Sequence, residues 1–108
     1  MSQDYLGEFE QMVLLSIMRL GNRSYGLAIR DELEMVAGRT PSSGSLYTTL
    51  DRMERKGLLE SSAGEITQER GGRPRRYVRV TAEGRALLAH SRSALLALWT
   101  GLEGALDR

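Results

Sequence analysis

A chain of 108 residues holds one domain, or one domain with an appended helix, and buries a modest core, so part of its stability is expected to come from oligomerisation. Hydrophobic residues at 41% and charged residues at 27% are ordinary for a soluble protein, and a formal net charge of +1 carries no message except through its distribution. The absence of cysteine excludes disulfides, thiol redox chemistry and cysteine-ligated zinc.

The N-terminus, MSQDYLGEFEQ, is acidic where a secretion signal would be basic and then apolar. The longest apolar run, Met12 to Leu15, is far short of the ~18 residues of a membrane span. A soluble, cytoplasmic protein is expected. From Glu8 to Leu20, a helix is predicted with Phe9, Met12, Val13, Ile17 and Leu20 on one stripe, ended by Gly21-Asn22. Ser24 is placed to cap a second helix whose core face is Ile29, Leu33 and Val36, closed by Ala37-Gly38.

The third helix falls within Thr40 to Glu60. Thr40 suits the cap and Pro41 the first helical position, where a missing N–H is harmless. Leu46, Leu50 and Met53 recur at i, i+4, i+7 and need a core to pack on. The opposite side is assigned Ser42, Ser45, Thr48, Thr49, Arg52 and Lys56, and Gly57 stands at the C-terminal turn. Gly44, in the first turn, costs roughly 1 kcal/mol against alanine, which is understandable if another body approaches the backbone closely. A DNA phosphate and a second helix both qualify. Three short helices with a turn before the third have the layout of a helix-turn-helix, the third being the reading helix.

Leu58 to Arg70 and Pro74 to Thr81 are predicted as two arms of a hairpin around Gly71-Gly72. Val78 and Val80 alternate with Tyr77 and Arg79, and Ile66 is the expected apolar partner across the hairpin. The fold class is therefore mainly α with a small β-hairpin, a winged helix-turn-helix over residues 1–81. Arg70, Arg73, Arg75, Arg76 and Arg79 lie within ten residues that contain no acid. Arginine forks suit phosphate, and a Gly-Gly tip lets backbone approach a duplex, with Arg73 the candidate for minor-groove insertion. A merely solvated basic hairpin is the alternative.

Residues 82–108 are expected to form a C-terminal helix capped by Thr81. Leu88, Ser91, Leu95, Leu98, Leu102 and Ala105 alternate at spacings of three and four, flanked by Leu87, Ala94, Trp99 and Leu106. So wide a stripe, lying beyond a fold complete at Thr81, points to a dimerisation helix, while a role in capping the domain core is the simpler alternative.

On the reading helix, Ser42, Ser45, Tyr47 and Thr48 can donate to phosphates or base edges, without a bidentate code. Arg52 suits a bidentate guanine contact, or a pair with Glu54, Asp51 or a phosphate. Tyr25 and Ser24, at the start of the second helix, are placed to touch backbone phosphates, and a half-buried place in the core is the alternative for Tyr25. Nothing resembles a catalytic triad, a phosphate-cradling loop or a metal-ligand set around the single histidine, His90, so neither enzyme activity, metal nor cofactor is expected.

The run Gly44-Ser45-Leu46-Tyr47, then Leu50, Arg52-Met53-Glu54 and Gly57-Leu58-Leu59, resembles the PadR-like transcriptional regulators. So do Tyr25-Gly26, Gly71-Gly72-Arg73, Arg76-Tyr77 and Thr81 with Gly84, over about Leu6 to Leu88. The short tail is similar to the family's smaller subgroup. This resemblance implies a homodimeric winged-helix repressor on an inverted-repeat operator in double-stranded DNA, with dimer contacts from the last and first helices. By position, Tyr25, Ser42, Ser45, Tyr47 and Thr48 would face DNA, and Gly72 and Arg73 would form the wing tip. Leu27-Ala28, Thr48 and Val78 depart from the family pattern, which bears on the operator rather than the fold. Some relatives of the small type bind planar drugs between tail tryptophans, which makes Trp99 a candidate for an effector site or for a dimer anchor. Two other functions fit the same features: a winged-helix module for protein contact, and a small-molecule sensor with weak DNA binding.

Overall fold

The computed structural model describes residues 5–66 and 74–107. Its elements follow in the order α1 (Glu8–Arg19), α2 (Gly26–Ala37), α3 (Ser43–Arg55), β1 (Leu59–Ile66), β2 (Pro74–Val80) and α4 (Ala82–Trp99). The two strands form one antiparallel pair. Gly71, Gly72 and Arg73, assigned above to the wing tip, lie outside the described residues, as does Arg70. Among the described residues no helix is long and apolar enough to cross a membrane.

α1 opens where the Glu10 carboxylate accepts the Gly7 N–H at 3.0 Å. It closes at Gly21 and Asn22, both in left-handed backbone (φ 88° and 59°), with the Asn22 N–H donating to the Ile17 carbonyl at 2.9 Å. Val13, Leu14 and Ile17 are fully buried, whereas Phe9, Met12 and Leu20 are only partly covered. The stripe expected from spacing is thus rotated toward Leu14, because α1 is enclosed by α2, β2 and α4 together rather than by one neighbour.

Ser24 does not cap α2. Its N–H donates to the Val78 carbonyl at 3.0 Å and its carbonyl accepts the Val78 N–H at 2.7 Å, a one-residue bridge that holds it extended. Tyr25 becomes the N-cap, without a side-chain bond. One step earlier the Asn22 amide accepts the Val80 N–H at 2.9 Å and donates to the Val80 carbonyl at 3.3 Å. β2 therefore has both edges occupied, β1 on one side and residues 22–24 on the other, which leaves little of its backbone unpaired. In α2, Ile29 and Leu33 enter the core, but Val36 is 57% exposed, lining an open groove between α1 and α2 with Met12 and Leu15.

α3 is capped by Ser42, whose hydroxyl accepts the Ser45 N–H at 3.1 Å, so Pro41 precedes the cap and Thr40 lies outside the helix. Leu46, Leu50 and Met53 are buried as their spacing demands, each worth about 1.5–3 kcal/mol. Thr49, expected on the polar side, is buried with them. The helix ends in a Schellman turn: Gly57 (φ 79°) donates to the Glu54 carbonyl at 3.0 Å and Leu58 to the Met53 carbonyl at 2.9 Å.

In the hairpin Leu59 stands opposite Val80 and Ser61 opposite Val78, while Ile66 pairs with Pro74 beyond an irregularity after Ala63. An apolar cross-strand pair, Leu59 opposite Val80, stands at the base of the hairpin, nearest the helical core, and the register sets Ile66 opposite neither Val78 nor Val80. At the hinge into α4, the Thr81 hydroxyl accepts the Gly84 N–H at 3.0 Å and donates to the Gly57 carbonyl at 2.7 Å, tying the end of α3 to the start of α4.

α4 divides into two halves. Leu88 and Ser91 are buried, and the Leu6 N–H donates to the Ser91 hydroxyl at 2.9 Å. Leu88, expected at a dimer seam, instead belongs to the domain's own core, because α4 packs on α1 and β2 up to Ser91. Past that point Leu95, Leu96, Leu98 and Trp99 are exposed. The helix stops at Trp99, with Gly101 in left-handed backbone (φ 86°), so Leu102 and Ala105 sit in the turns that follow and not on a continuous helical seam.

A Cβ on Gly84 would run into the Leu58 carbonyl oxygen and lie 2.8 Å from Val80 Cγ1. Gly84→Ala is therefore expected to destabilise the fold by about 1–3 kcal/mol despite alanine's better helix propensity, seen as a lower urea midpoint with an unchanged slope.

Candidate nucleic-acid interface

The side of α3 opposite Leu46 and Met53 is formed by Gly44, Thr48, Asp51 and Arg55, with Tyr47 at its margin, and all five are exposed. This face lies about a quarter-turn from the one assigned from sequence. The cause is Glu10. Its carboxylate, largely buried at the start of α1, accepts from Arg52 Nε at 3.2 Å and lies 3.6 Å from Lys56 Nζ. Burial pushes the Glu10 carboxyl upward, but the Gly7 N–H, Arg52 and Lys56 together outweigh it and hold the group below its usual range. Arg52 and Lys56 thus bind α3 to α1. A guanine contact from Arg52 would require breaking that pair.

A second set of ion pairs joins α3 to the wing. Arg76 Nη1 lies 2.9 Å from Asp51 Oδ1 and Nη2 lies 2.7 Å from Glu54 Oε1, while its Nε donates to the Ser61 hydroxyl at 3.0 Å. The Ser61 hydroxyl also donates to Glu54 at 2.6 Å. That bond, with Arg76 close by, lowers the Glu54 pKa. Arg76 therefore neutralises the two acids on or beside the outer face of α3 and fixes the wing's angle to the helix. Between them lies a cleft of about 470 Å³ lined by Asp51, Glu54, Ser61, Ser62, Arg75 and Arg76 among others. Arg79, assigned above to the basic run, pairs with Glu60 across the strands at 2.8 Å.

Tyr25, Tyr47 and Arg75 are brought into one neighbourhood. The Arg75 guanidinium sits over the Tyr25 ring, 4.0 Å from its centroid. Tyr47 reaches back so that its hydroxyl end covers the Cα of Gly26, a place only glycine leaves open. Ser45 is exposed at the edge of this surface, and the Ser42 hydroxyl is engaged as a cap. Arg55 was missed from sequence, although it stands four residues after Asp51 and seven after Thr48, a spacing that puts it on their face.

The comparisons decide the family. The profile described as the transcriptional regulator PadR-like family matches residues 14–90, most of the chain. The transcriptional regulator Rv3488 of Mycobacterium tuberculosis is 40% identical over 74 residues, a stretch covering 68% of this chain and 64% of the relative. This chain belongs to the PadR-like family. The matched stretch spans less than two thirds of that curated relative's length. A PadR family transcriptional regulator from Eggerthella lenta superposes with a TM-score of 0.70 at 28% identity, covering 93% of this chain and 87% of the other. A complex structure of hsRosR-S4 superposes with a TM-score of 0.68 at 29% identity, covering 87% and 74%. The PadR-like match thus runs from the middle of α1 through the wing to the buried half of α4, and the family is one of transcriptional regulators, not enzymes.

The exposed end of α4 lies beyond that match. Leu95, Leu98, Trp99, Leu102, Ala105 and Leu106 line an open groove of about 300 Å³ with almost wholly apolar walls.

Because the folded Glu10 carboxyl titrates below its unfolded value, its contribution to stability is full above about pH 4.3 and is lost as pH falls through the folded value. Glu10→Gln is expected to be less stable at pH 7 but to lose less stability between about pH 5 and pH 3, measured by urea unfolding at a series of pH values.

Proposed function

We propose that this PadR-like regulator binds double-stranded DNA as a homodimer, with α3 of each protomer in the major groove of one half of an inverted repeat, and represses by occupying that operator. The observation that carries the reading is the outer face of α3: small donors and Arg55 turned outward, with its acids neutralised from the wing by Arg76. A groove-binding helix needs such a face, since an uncompensated carboxylate there would repel the phosphates. Tyr25, Ser45, Tyr47, Thr48 and Arg75 contact the duplex in this arrangement, Gly72 and Arg73 extend the contact at the wing tip, and Ser42, Arg52 and Arg76 position rather than touch.

Dimerisation is supported by the distal half of α4, where Leu98 is 73% exposed and Leu95, Trp99 and Leu102 stand beside it. Water is a poor neighbour for so continuous an apolar strip. Pairing two such halves buries it and sets the separation of the α3 helices, for which one duplex turn is ~34–36 Å. The groove around Trp99 supports a further assignment, a planar apolar effector held between the tails, whose binding shifts that separation.

A fluorescent duplex recovered by selection from a random pool tests the DNA reading; failure to enrich any sequence at low salt would overturn it. Gly44 has open space around its Cα, so Gly44→Ala is expected to raise stability by up to about 1 kcal/mol yet weaken operator binding, because the added methyl intrudes where a phosphate approaches the first turn. Unchanged affinity would assign Gly44 no part in the contact. For the tail, Leu95→Glu with Trp99→Glu is expected to convert a dimer to a folded monomer in sedimentation velocity; a wild-type monomer at micromolar concentration would overturn the dimer.

A further inference from the structure

We propose that Arg23, together with Arg75, forms a clamp for phosphodiester groups at the root of the wing, preorganised by two tyrosines that meet edge to face. The proposal rests on the DNA-binding reading above and adds to it a residue that neither the reading helix nor the wing supplies.

Arg23 lies in the short connection before α2, where nothing in the pattern of helices suggests a role. Its guanidinium sits over the Tyr77 ring, 3.7 Å from the centroid. Tyr77 meets Tyr25 edge to face, with centroids 5.7 Å apart and planes at 83°, and Arg75 covers Tyr25 at 4.0 Å. Two cations thus flank a pair of perpendicular rings. Among the described residues, neither Arg23 nor Arg75 forms an ion pair with a carboxylate, whereas Arg19, Arg39, Arg52, Arg76 and Arg79 all do. Among the described residues Arg30, Arg55, Arg85 and Arg92 also lack an ion pair, but of these unpaired arginines it is Arg23 and Arg75 that lie on aromatic faces.

Stacking uses the flat face of a guanidinium and leaves its N–H donors free along the edge, the edge that meets a phosphate. The stack also holds each side chain in place before the ligand arrives, so less rotamer freedom is lost on binding. Backbone bonds keep the platform in register. The Ser24–Val78 bridge lies between Arg23 and Tyr25 on one strand and beside Tyr77 on the other, and its two hydrogen bonds fix all three side chains relative to one another. Gly64 completes the platform, because Tyr77 lies across its Cα where any Cβ would collide with the ring. The ligand is DNA backbone rather than an acidic protein because the clamp is continuous with the outer face of α3: Tyr25 precedes Gly26, which Tyr47 covers, and Arg75 lines the same cleft as Asp51.

The test uses the full chain and the selected duplex, with fluorescence polarisation at salt concentrations from 50 to 300 mM. Arg23→Gln is expected to weaken binding roughly five- to tenfold at 0.1 M salt and to reduce the slope of log K against log salt by about 0.9, equally for the selected and a scrambled duplex. Arg23→Lys keeps the charge and loses the planar stack, so its slope should match the wild type while affinity falls about two- to fivefold. Arg19→Gln, which makes the same change in net charge at a surface pair with Glu32 on α2, serves as the control and should alter neither quantity. Arg23→Gln indistinguishable from Arg19→Gln overturns the clamp while leaving DNA binding intact. Arg23→Lys indistinguishable from wild type overturns the role of the stack. If the wild type enriches no duplex at all, the clamp fails together with the reading on which it rests.

Discussion

The strand β2 is held from both sides, and the rest of the molecule depends on that. On one edge it pairs with β1, and on the other the Asn22 side chain takes up Val80 while Ser24 bridges Val78. A two-stranded hairpin alone is marginally stable in water. Here the connection between α1 and α2 acts as a partial third strand, so the wing is part of the core and not an appendage. Val78 and Val80 are fully buried as a result, and Tyr77 faces the other way, toward Tyr25 and Arg23. The same few hydrogen bonds thus anchor the wing and assemble an aromatic platform at its root.

Charge is arranged in the same economical way. Glu10, close to fully buried, draws Arg52 and Lys56 off the outer surface of α3 and fixes that helix against α1. Arg76 then reaches from the wing to Asp51 and Glu54. A carboxylate left unpaired in either place would be costly, in the first case through desolvation and in the second through repulsion of any polyanion brought to the helix. What remains outward is a surface of hydroxyls, tyrosines and cations, with a net charge near zero for the chain as a whole.

α4 joins two tasks in one helix. Up to Ser91 it closes the domain, with the N-terminal arm fastened to it by the Leu6–Ser91 hydrogen bond and by Tyr5 stacked on His90 at 4.8 Å. Beyond Ser91 it presents leucines and a tryptophan to solvent. His90 is thus a packing residue in the arm contact. The break at Gly101 turns the chain back so that Leu102 and Leu106 close one side of the groove around Trp99.

Much of this was legible in the order of residues, because it depends on periodicity and on a few special backbone positions. The apolar spacings of α1 and α3, the glycine at Gly57, the alternation at Val78 and Val80, and the cap at Thr81 are local signals, and they determined the helix-turn-helix and the hairpin, while the family was legible only as a resemblance in short runs such as Gly44-Ser45-Leu46-Tyr47. The orientation of each helix was not local. Spacing placed Arg52 and Thr49 on the polar side of α3, and only the packing of α3 against its neighbours showed that Glu10 claims the first and the core the second. Nor could spacing tell that Ser24 would bridge a strand instead of capping a helix, since both uses suit an extended serine and the partner, Val78, is far away in the chain. The cations of the surface divide in the same manner: their number is a property of the sequence, but which of them is paired with an acid, and which is left stacked on a tyrosine, depends on contacts between residues that only the fold brings together.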